Sequence, residues 1–427
     1  MCFDPMPTPK ATLLPSDSPP DLPASTLNWT EAKRPRSALW RSERGAAPPR
    51  RVVPADDTMS ADSAYRMACE GTGLLWRGDF QNARLMLQAL ARRIDKPPKA
   101  SKTARMGRKK ALAQAETGPP SGEAFHLYRQ AQAQRARVLG MVLIEFGADY
   151  GIALRRAPDA KQACTEAWGP ANNSGPSVAS LRELMGVISA HEWRKKGVEI
   201  PALTSAGAAV AKAAPNNRIY PHYGVFSPVR GEYVDLVATA LLPEKRPAKF
   251  VAFDIGTGTG VLAAVLALRE VDQVVATDQD ERALACAKEN IYRLRLPNPV
   301  KVMQADLFPE GLASVIVCNP PWLPARPGSP LEGAVYDEGS RMLLGFIKGL
   351  AAHLAPGGEG WLILSDFAEH LGLRTRAELL VAIEAGGLKV LGRMDAKPEH
   401  PKALDPTNPL AEARAQEVTS LWRLGAV

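Results

Sequence analysis

From Phe250 to the C-terminus, short apolar runs alternate with longer amphipathic ones, and this alternation limits the fold more than any other feature. FVAFDI, QVVATD, VKVMQAD, ASVIVCN, GEGWLILSD, LKVLGRM and EVTSLWRL read as strands. GVLAAVLALRE, ERALACAKENIYRL, SRMLLGFIKGLAAHL and RAELLVAIEAGG read as helices. The strand runs are apolar almost throughout rather than at every second residue, which requires a sheet covered on both faces. The last two are joined by a long loop without a helical pattern, so they are expected to pair antiparallel. The expected fold class for residues 218–427 is therefore α/β, a seven-stranded, mostly parallel sheet with an antiparallel edge strand. One run stops abruptly, in VIVCNPPWLP (Val315–Pro324). A proline pair cannot continue a central strand, because it removes ladder donors and fixes φ.

Upstream the pattern is weaker. Residues 1–58 are crowded with Pro, Ser, Asp and Arg and show no apolar period, so they read as a disordered tail, with Met59 as an alternative initiation residue. Residues 59–122 read as a helical hairpin (Ala64–Ile94) followed by a basic linker, and 123–217 as a helical domain. The chain carries a net charge of +8. Residues 1–122 hold 20 Lys and Arg against 12 Asp and Glu, and the rest is balanced at 33 each. That excess is a handle for an acidic partner such as rRNA, or equally a solvated tail. No run of about 18 apolar residues exists and the N-terminus lacks a secretory layout, so no membrane partner and a cytoplasmic location are expected. Five scattered cysteines with no C-x-x-C pair argue against a disulfide framework and a zinc site.

The loop after FVAFDI is DIGTGTG, Asp254–Gly260. Glycines at 256, 258 and 260 allow a tight strand-to-helix turn and close approach of a ligand to helix N–H groups. Asp278, ending the second strand, suits a ribose diol. Asp306, ending the third, can accept from an adenine amino group, with Leu307 and Phe308 as an apolar wall. All three converge outside the carboxyl ends of the strands, where open α/β sheets bind ligands. A dinucleotide loop of G-x-G-x-x-G type wants a small residue at 261, where this chain has Val261.

FDIGTGTG, ATDQD, QADLF and CNPPW, in this order and spacing, resemble the class I S-adenosylmethionine-dependent methyltransferases. Within them they are similar to the subset with an N-P-P-aromatic motif, the HemK/PrmC-type protein-glutamine methyltransferases and several nucleobase amino-group methyltransferases. The resemblance covers about residues 218–427. It implies a Rossmann-like domain and the cofactor S-adenosylmethionine, bound by Asp254, Gly256, Thr257, Gly258, Gly260, Asp278, Asp306, Leu307 and Asn319. It also implies a helical substrate-recognition domain at 123–217. In the family, the Asn and aromatic of the motif hold the target amide, which here are Asn319 and Trp322.

A planar amide or nucleobase amino group is a poor nucleophile, because its lone pair is delocalised. Two acceptors holding its hydrogens orient the nitrogen and raise its electron density. Asn319 offers a side-chain carbonyl and Pro320 a main-chain one; Pro320 and Pro321 fix their directions, and Trp322 can stack on the planar group. Asn319, Pro320 and Trp322 are thus the catalytic candidates, with Pro321 joining them in substrate binding. Arg230 and Glu232, in YGVFSPVRGEY, are candidates for the cofactor's methionine end. YDEG, Tyr336–Gly339, is a candidate substrate lid, although Asp337 can equally cap a helix. His222 and His353 have no expected role. The leading expectation is methylation of a glutamine in a ribosomal protein or release factor. Methylation of an adenine or guanine amino group in rRNA is the rival. A non-catalytic adaptor is a third class, whose mark, a damaged loop or tetrapeptide, is absent.

Overall fold

The computed structural model describes residues 25–96, 122–171, 175–205, 216–244, 247–398 and 409–427. It contains two α/β units, each built on its own sheet.

The N-terminal unit holds six strands: β1 (Thr26–Glu31), β2 (Arg34–Trp40), β3 (Arg51–Ala55), β4 (Thr72–Trp76), β5 (Val142–Phe146) and β6 (Ser177–Ser180), in the order β1-β2-β6-β5-β4-β3. Two expectations are corrected by these strands: residues 25–58 are not a disordered tail, and the unit is not purely helical. Residues 1–24 lie outside the described residues, as do 97–121 of the basic linker. The first error has a local cause. The β1–β2 hairpin turns through Ala32 and Lys33, both at positive φ, where a two-residue turn ordinarily advertises itself with Asn-Gly or Asp-Gly. The second lies in TGLLW and VLIEF, apolar runs too short to tell strand from helix by period. Between helices Ala61–Cys69 and Phe80–Ile94, β4 is buried along its whole length. Side chains on β4 and β5 alternate between two clusters, Leu74, Trp76, Val142, Ile144 and Phe146 on one face and Leu75 and Leu143 on the other. Pro54 is tolerated because β3 is an edge.

A short antiparallel pair, β7 (Val198–Glu199) and β8 (Arg218–Ile219), joins the units. Val198, Ile200, Leu203 and Ile219 pack into the C-terminal core, so the expected boundary at 217 is moved to about 197.

The C-terminal unit matches expectation closely. Its strands are β9 (Val251–Ile255), β10 (Gln273–Asp278), β11 (Val300–Gln304), β12 (Ala313–Cys318), β13 (Leu354–Ser365), β14 (Leu388–Ala396) and β15 (Thr419–Ala426), in the order β11-β10-β9-β12-β13-β15-β14. All neighbours are parallel except β15, which runs antiparallel to β13 and β14; the last two strands pair antiparallel as expected, but the reversed strand is inserted between β13 and β14, so the expectation of an antiparallel edge strand is corrected and the edge is β14. Helices Glu232–Thr239 and Val261–Ala267 cover one face, Arg341–His353 and Arg376–Ala385 the other. The chain progresses in one direction from β9 to β11 and in the other from β12, so a crevice opens at the carboxyl ends of β9 and β12. Among the described residues, no helix is long and apolar enough to cross a membrane.

Candidate active site

A cavity of about 740 Å³ lies in that crevice. This is within the range of sites that enclose small organic ligands. Its floor is the loop after β9. Gly256 and Gly258 have φ of +72° and +55°. A Cβ at Gly256 would stand 2.3 Å from the Met342 side chain, whereas at Gly258 nothing lies within 4 Å. Glycine is favoured at 256 by its positive φ, since the Met342 terminal methyl could move aside, and Gly258 leaves its backbone bare toward the cavity.

Asp254 holds this loop from below. Its Oδ2 accepts from Thr257 Oγ1 at 2.6 Å and from the Ala263 N–H at 2.9 Å, tying the strand to the first turn of the helix. It is buried and does not line the cavity. Burial pushes its carboxyl up to about 7, against the pull of its two donors, and the charge of Asp278 adds to the rise. Gly260 likewise shapes the turn without lining the cavity. Gly256, Thr257, Gly258 and Asp278 do line it. The Asp278 carboxylate accepts from the Gly258 N–H and the Asp280 N–H, both at 3.0 Å, so the acid and the glycine loop position each other. Burial raises its pKa despite those donors.

The third element is placed differently from expectation. Asp306 is largely exposed, paired with Arg341 at 2.9 Å and bonded by Gln279, and it stands outside the cavity lining. Phe308 turns away and stacks on His353, with ring centroids 4.4 Å apart, and on Phe346. Leu307 does line the cavity, from a strained φ of +72° that the Thr277 hydroxyl braces by donating to its carbonyl at 2.6 Å.

At the end of β12, Asn319, Pro320, Pro321 and Trp322 all line the same cavity. The Trp322 indole N–H donates to Asn319 Oδ1 at 2.9 Å. An indole nitrogen can only donate, so this bond fixes which end of the amide is the acceptor, and a carbonyl oxygen keeps a second lone pair. The Arg230 guanidinium lies over the Trp322 ring at 5.2 Å. Its donors are committed to Glu232 at 2.7 Å and Glu417 at 3.2 Å. Arg230 lines the cavity on the Trp322 side, and Glu232 does not line it.

Residues 333–338 of the YDEG region form part of the wall. Asp337 caps helix Arg341–His353, accepting from the Met342 N–H at 2.8 Å, and burial raises its pKa. His222 pairs with Glu289 at 2.7 Å near the junction of the units, and neither it nor His353 lines the cavity. Sequence reasoning missed Phe367, Arg414 and Glu417, which also line it. They sit between β13 and β15, in connections with no motif of their own; only the pairing of Ser365 with Thr419 carries them to the site.

Residues 216–376 match the family described as "Methyltransferase small domain". Over 162 residues the chain is 34% identical to the release factor glutamine methyltransferase of Shewanella oneidensis, covering 34% of this chain and 54% of that protein. Over 119 residues it is 33% identical to the Escherichia coli protein of the same name, covering 27% of this chain and 41% of that one. It is also 32% identical over 117 residues to the tRNA1(Val) (adenine(37)-N6)-methyltransferase of Pedobacter heparinus, covering 26% and 50%. The chain thus spans about half the length of the curated relatives it matches. These matches and the sheet order show an S-adenosylmethionine-dependent methyltransferase domain in the C-terminal unit.

Proposed function

We propose that the protein is an N-methyltransferase acting on a planar amide or amino nitrogen, with a glutamine side chain in a ribosomal protein or release factor as its substrate. The observation that carries this is one continuous cavity lined both by the bare backbone at Gly258 and by the Asn319–Trp322 turn. S-adenosylmethionine, when bound, supplies a methyl group made electrophilic by its sulfonium charge. Gly256, Thr257, Gly258, Asp278 and Leu307 suit its nucleoside part, with a bare loop, a carboxylate and an apolar side chain facing one space. Asp254 and Gly260 shape that loop rather than touch the ligand.

Asn319 Oδ1, through its second lone pair, and the Pro320 carbonyl accept the two hydrogens of the substrate nitrogen. They point its lone pair along the transfer axis and stabilise the positive charge that develops on it. The nitrogen gains the methyl and loses a proton to these acceptors or to water, so no dedicated base is needed. Trp322 bounds the plane of the group, and its N–H keeps Asn319 from rotating.

The test is incubation of the protein and its host-cell extract with methyl-labelled cofactor, followed by protease or nuclease. Label released by protease and retained after nuclease is expected. The reverse result favours the second reading, an adenine or guanine amino group in RNA, which is supported by the Pedobacter relative's name and by the basic excess in residues 1–122. No incorporation in either fraction overturns both.

A further inference from the structure

The wall of the cavity beyond Trp322 is lined by the C-terminal unit but braced from outside by the N-terminal one. Leu323, Pro327 and residues 333–338 line the cavity, and they belong to a loop with little regular structure. The loop is pinned internally by a bridge between Leu323 and Tyr336, in which the Leu323 N–H donates to Val335 and the Asp337 N–H to Leu323.

Helix Glu123–Leu139 of the N-terminal unit is clamped onto its outside. Arg129 makes three contacts there. Its Nη2 donates to the Arg326 carbonyl at 2.6 Å, its Nη1 meets Glu332 at 3.3 Å, and its guanidinium lies 3.9 Å over the Tyr336 ring. Arg44, from the segment after β2, meets the other Glu332 oxygen at 3.4 Å. Phe125, on the same helix as Arg129, is buried against Leu323, Tyr336 and Phe367. The two units also meet at Glu43–Arg282 and Arg194–Glu289, but these contacts fall on helix Glu281–Leu294, not on the loop.

We propose that Arg129 is a positioning residue for methyl transfer, through which the N-terminal unit holds the 323–338 loop and sets the shape of the acceptor half of the cavity. A planar guanidinium that serves a carbonyl, a carboxylate and an aromatic face at once fixes a geometry that a single surface ion pair cannot. The N-terminal unit on this view braces the active-site wall from outside and is more than a tethered recognition module. This deepens the preceding reading and rests on it only for what enters the cavity.

The experiment is hydrogen–deuterium exchange on the full chain, comparing wild type, Arg129→Met, Arg129→Lys and Glu43→Gln. Arg129→Met is expected to speed exchange of amides 323–338 by about tenfold while those of 254–263 stay within twofold. Arg129→Lys, which keeps the charge but loses the fork and the stacking, recovers only part of this. Glu43→Gln breaks a contact between the units that does not touch the loop, and leaves 323–338 unchanged. In the labelled-methyl assay, Arg129→Met should raise the acceptor KM with affinity for S-adenosylhomocysteine retained. Exchange at 323–338 unaltered in Arg129→Met, or raised equally across both units, overturns the proposal. If wild type transfers no methyl, the exchange result still decides it, so the two readings fail separately.

Discussion

The two halves of the cavity are built by different means. Of the proposed donor and acceptor halves, the donor half lies at strand ends and is held by short bonds within one unit: Asp254 to Thr257 and Ala263, Asp278 to Gly258, Thr277 to Leu307. The acceptor half begins with one rigid turn, Asn319–Trp322, and continues into loops held by side chains from elsewhere, Arg230, Glu417 and Arg129. Half of the site is thus preorganised by the sheet itself, and half by long-range contacts that a single substitution can release. The division suits a fold whose donor stays constant while its acceptors differ.

The sharpest way to separate the halves is Asn319→Ala. Transfer should fall by about a thousandfold or more, as for loss of a group that stabilises developing charge. Binding of S-adenosylhomocysteine, read by calorimetry, should change by less than threefold. Equal losses in both would show that the turn serves the donor half as well.

Asp254 breaks the donor half through stability rather than contact. Its folded-state pKa of about 7 lies above the ordinary 3.8, so between those values the folded protein holds a proton that the unfolded chain has released. Stability should therefore fall as pH rises from about 4 to about 7, by up to about 1.4 kcal/mol per unit. Urea unfolding across that range should show the slope in wild type and its loss in Asp254→Asn. An unchanged slope would assign it to other groups.

Asp278→Asn is expected to weaken S-adenosylhomocysteine binding by about tenfold, through loss of a carboxylate acceptor and of its grip on Gly258. The acceptor KM should move little. The smallest effect is expected from Arg230→Met, which uncovers the Trp322 ring and unpairs Glu232 and Glu417. It should raise the acceptor KM by about threefold, with cofactor binding retained. A larger loss of cofactor binding than of acceptor binding would place Arg230 on the donor side.

The contrast between the two sheets shows what was legible beforehand. Each of β9–β15 was located within a few residues, because the central strands β9, β10, β12 and β13 are buried apolar runs and the strands are set apart by helices with a clear period. The six N-terminal strands, most of them similar in length to β9–β12, were missed because each lacks a distinct signal of its own. Ser177–Ser180 is four small residues, and Thr26–Glu31, though alternating, is followed by a turn of Ala-Lys that carries no turn signal. In the site, residues within recognisable motifs were found, including Arg230 and Tyr336–Glu338 on connections, whereas Phe367, Arg414 and Glu417, which belong to no motif, were not. Asp306 was placed on the right strand end, but an exposed carboxylate at such an end goes to the nearest strong donor, here Arg341.

The amino-acid order alone determined the C-terminal sheet, the glycine loop with Asp278, and the rigid stop at Asn319–Trp322. These are local features, in which steric limits on φ and the period of apolar residues act within a few positions of one another. Only the tertiary structure decided that Glu417 and Arg230 stand beside Trp322 and that Arg129 grips the 323–338 loop from another unit. Those contacts join residues separated by up to about two hundred positions. No local pattern encodes them; they depend on which strands pair and on what packs across the sheet.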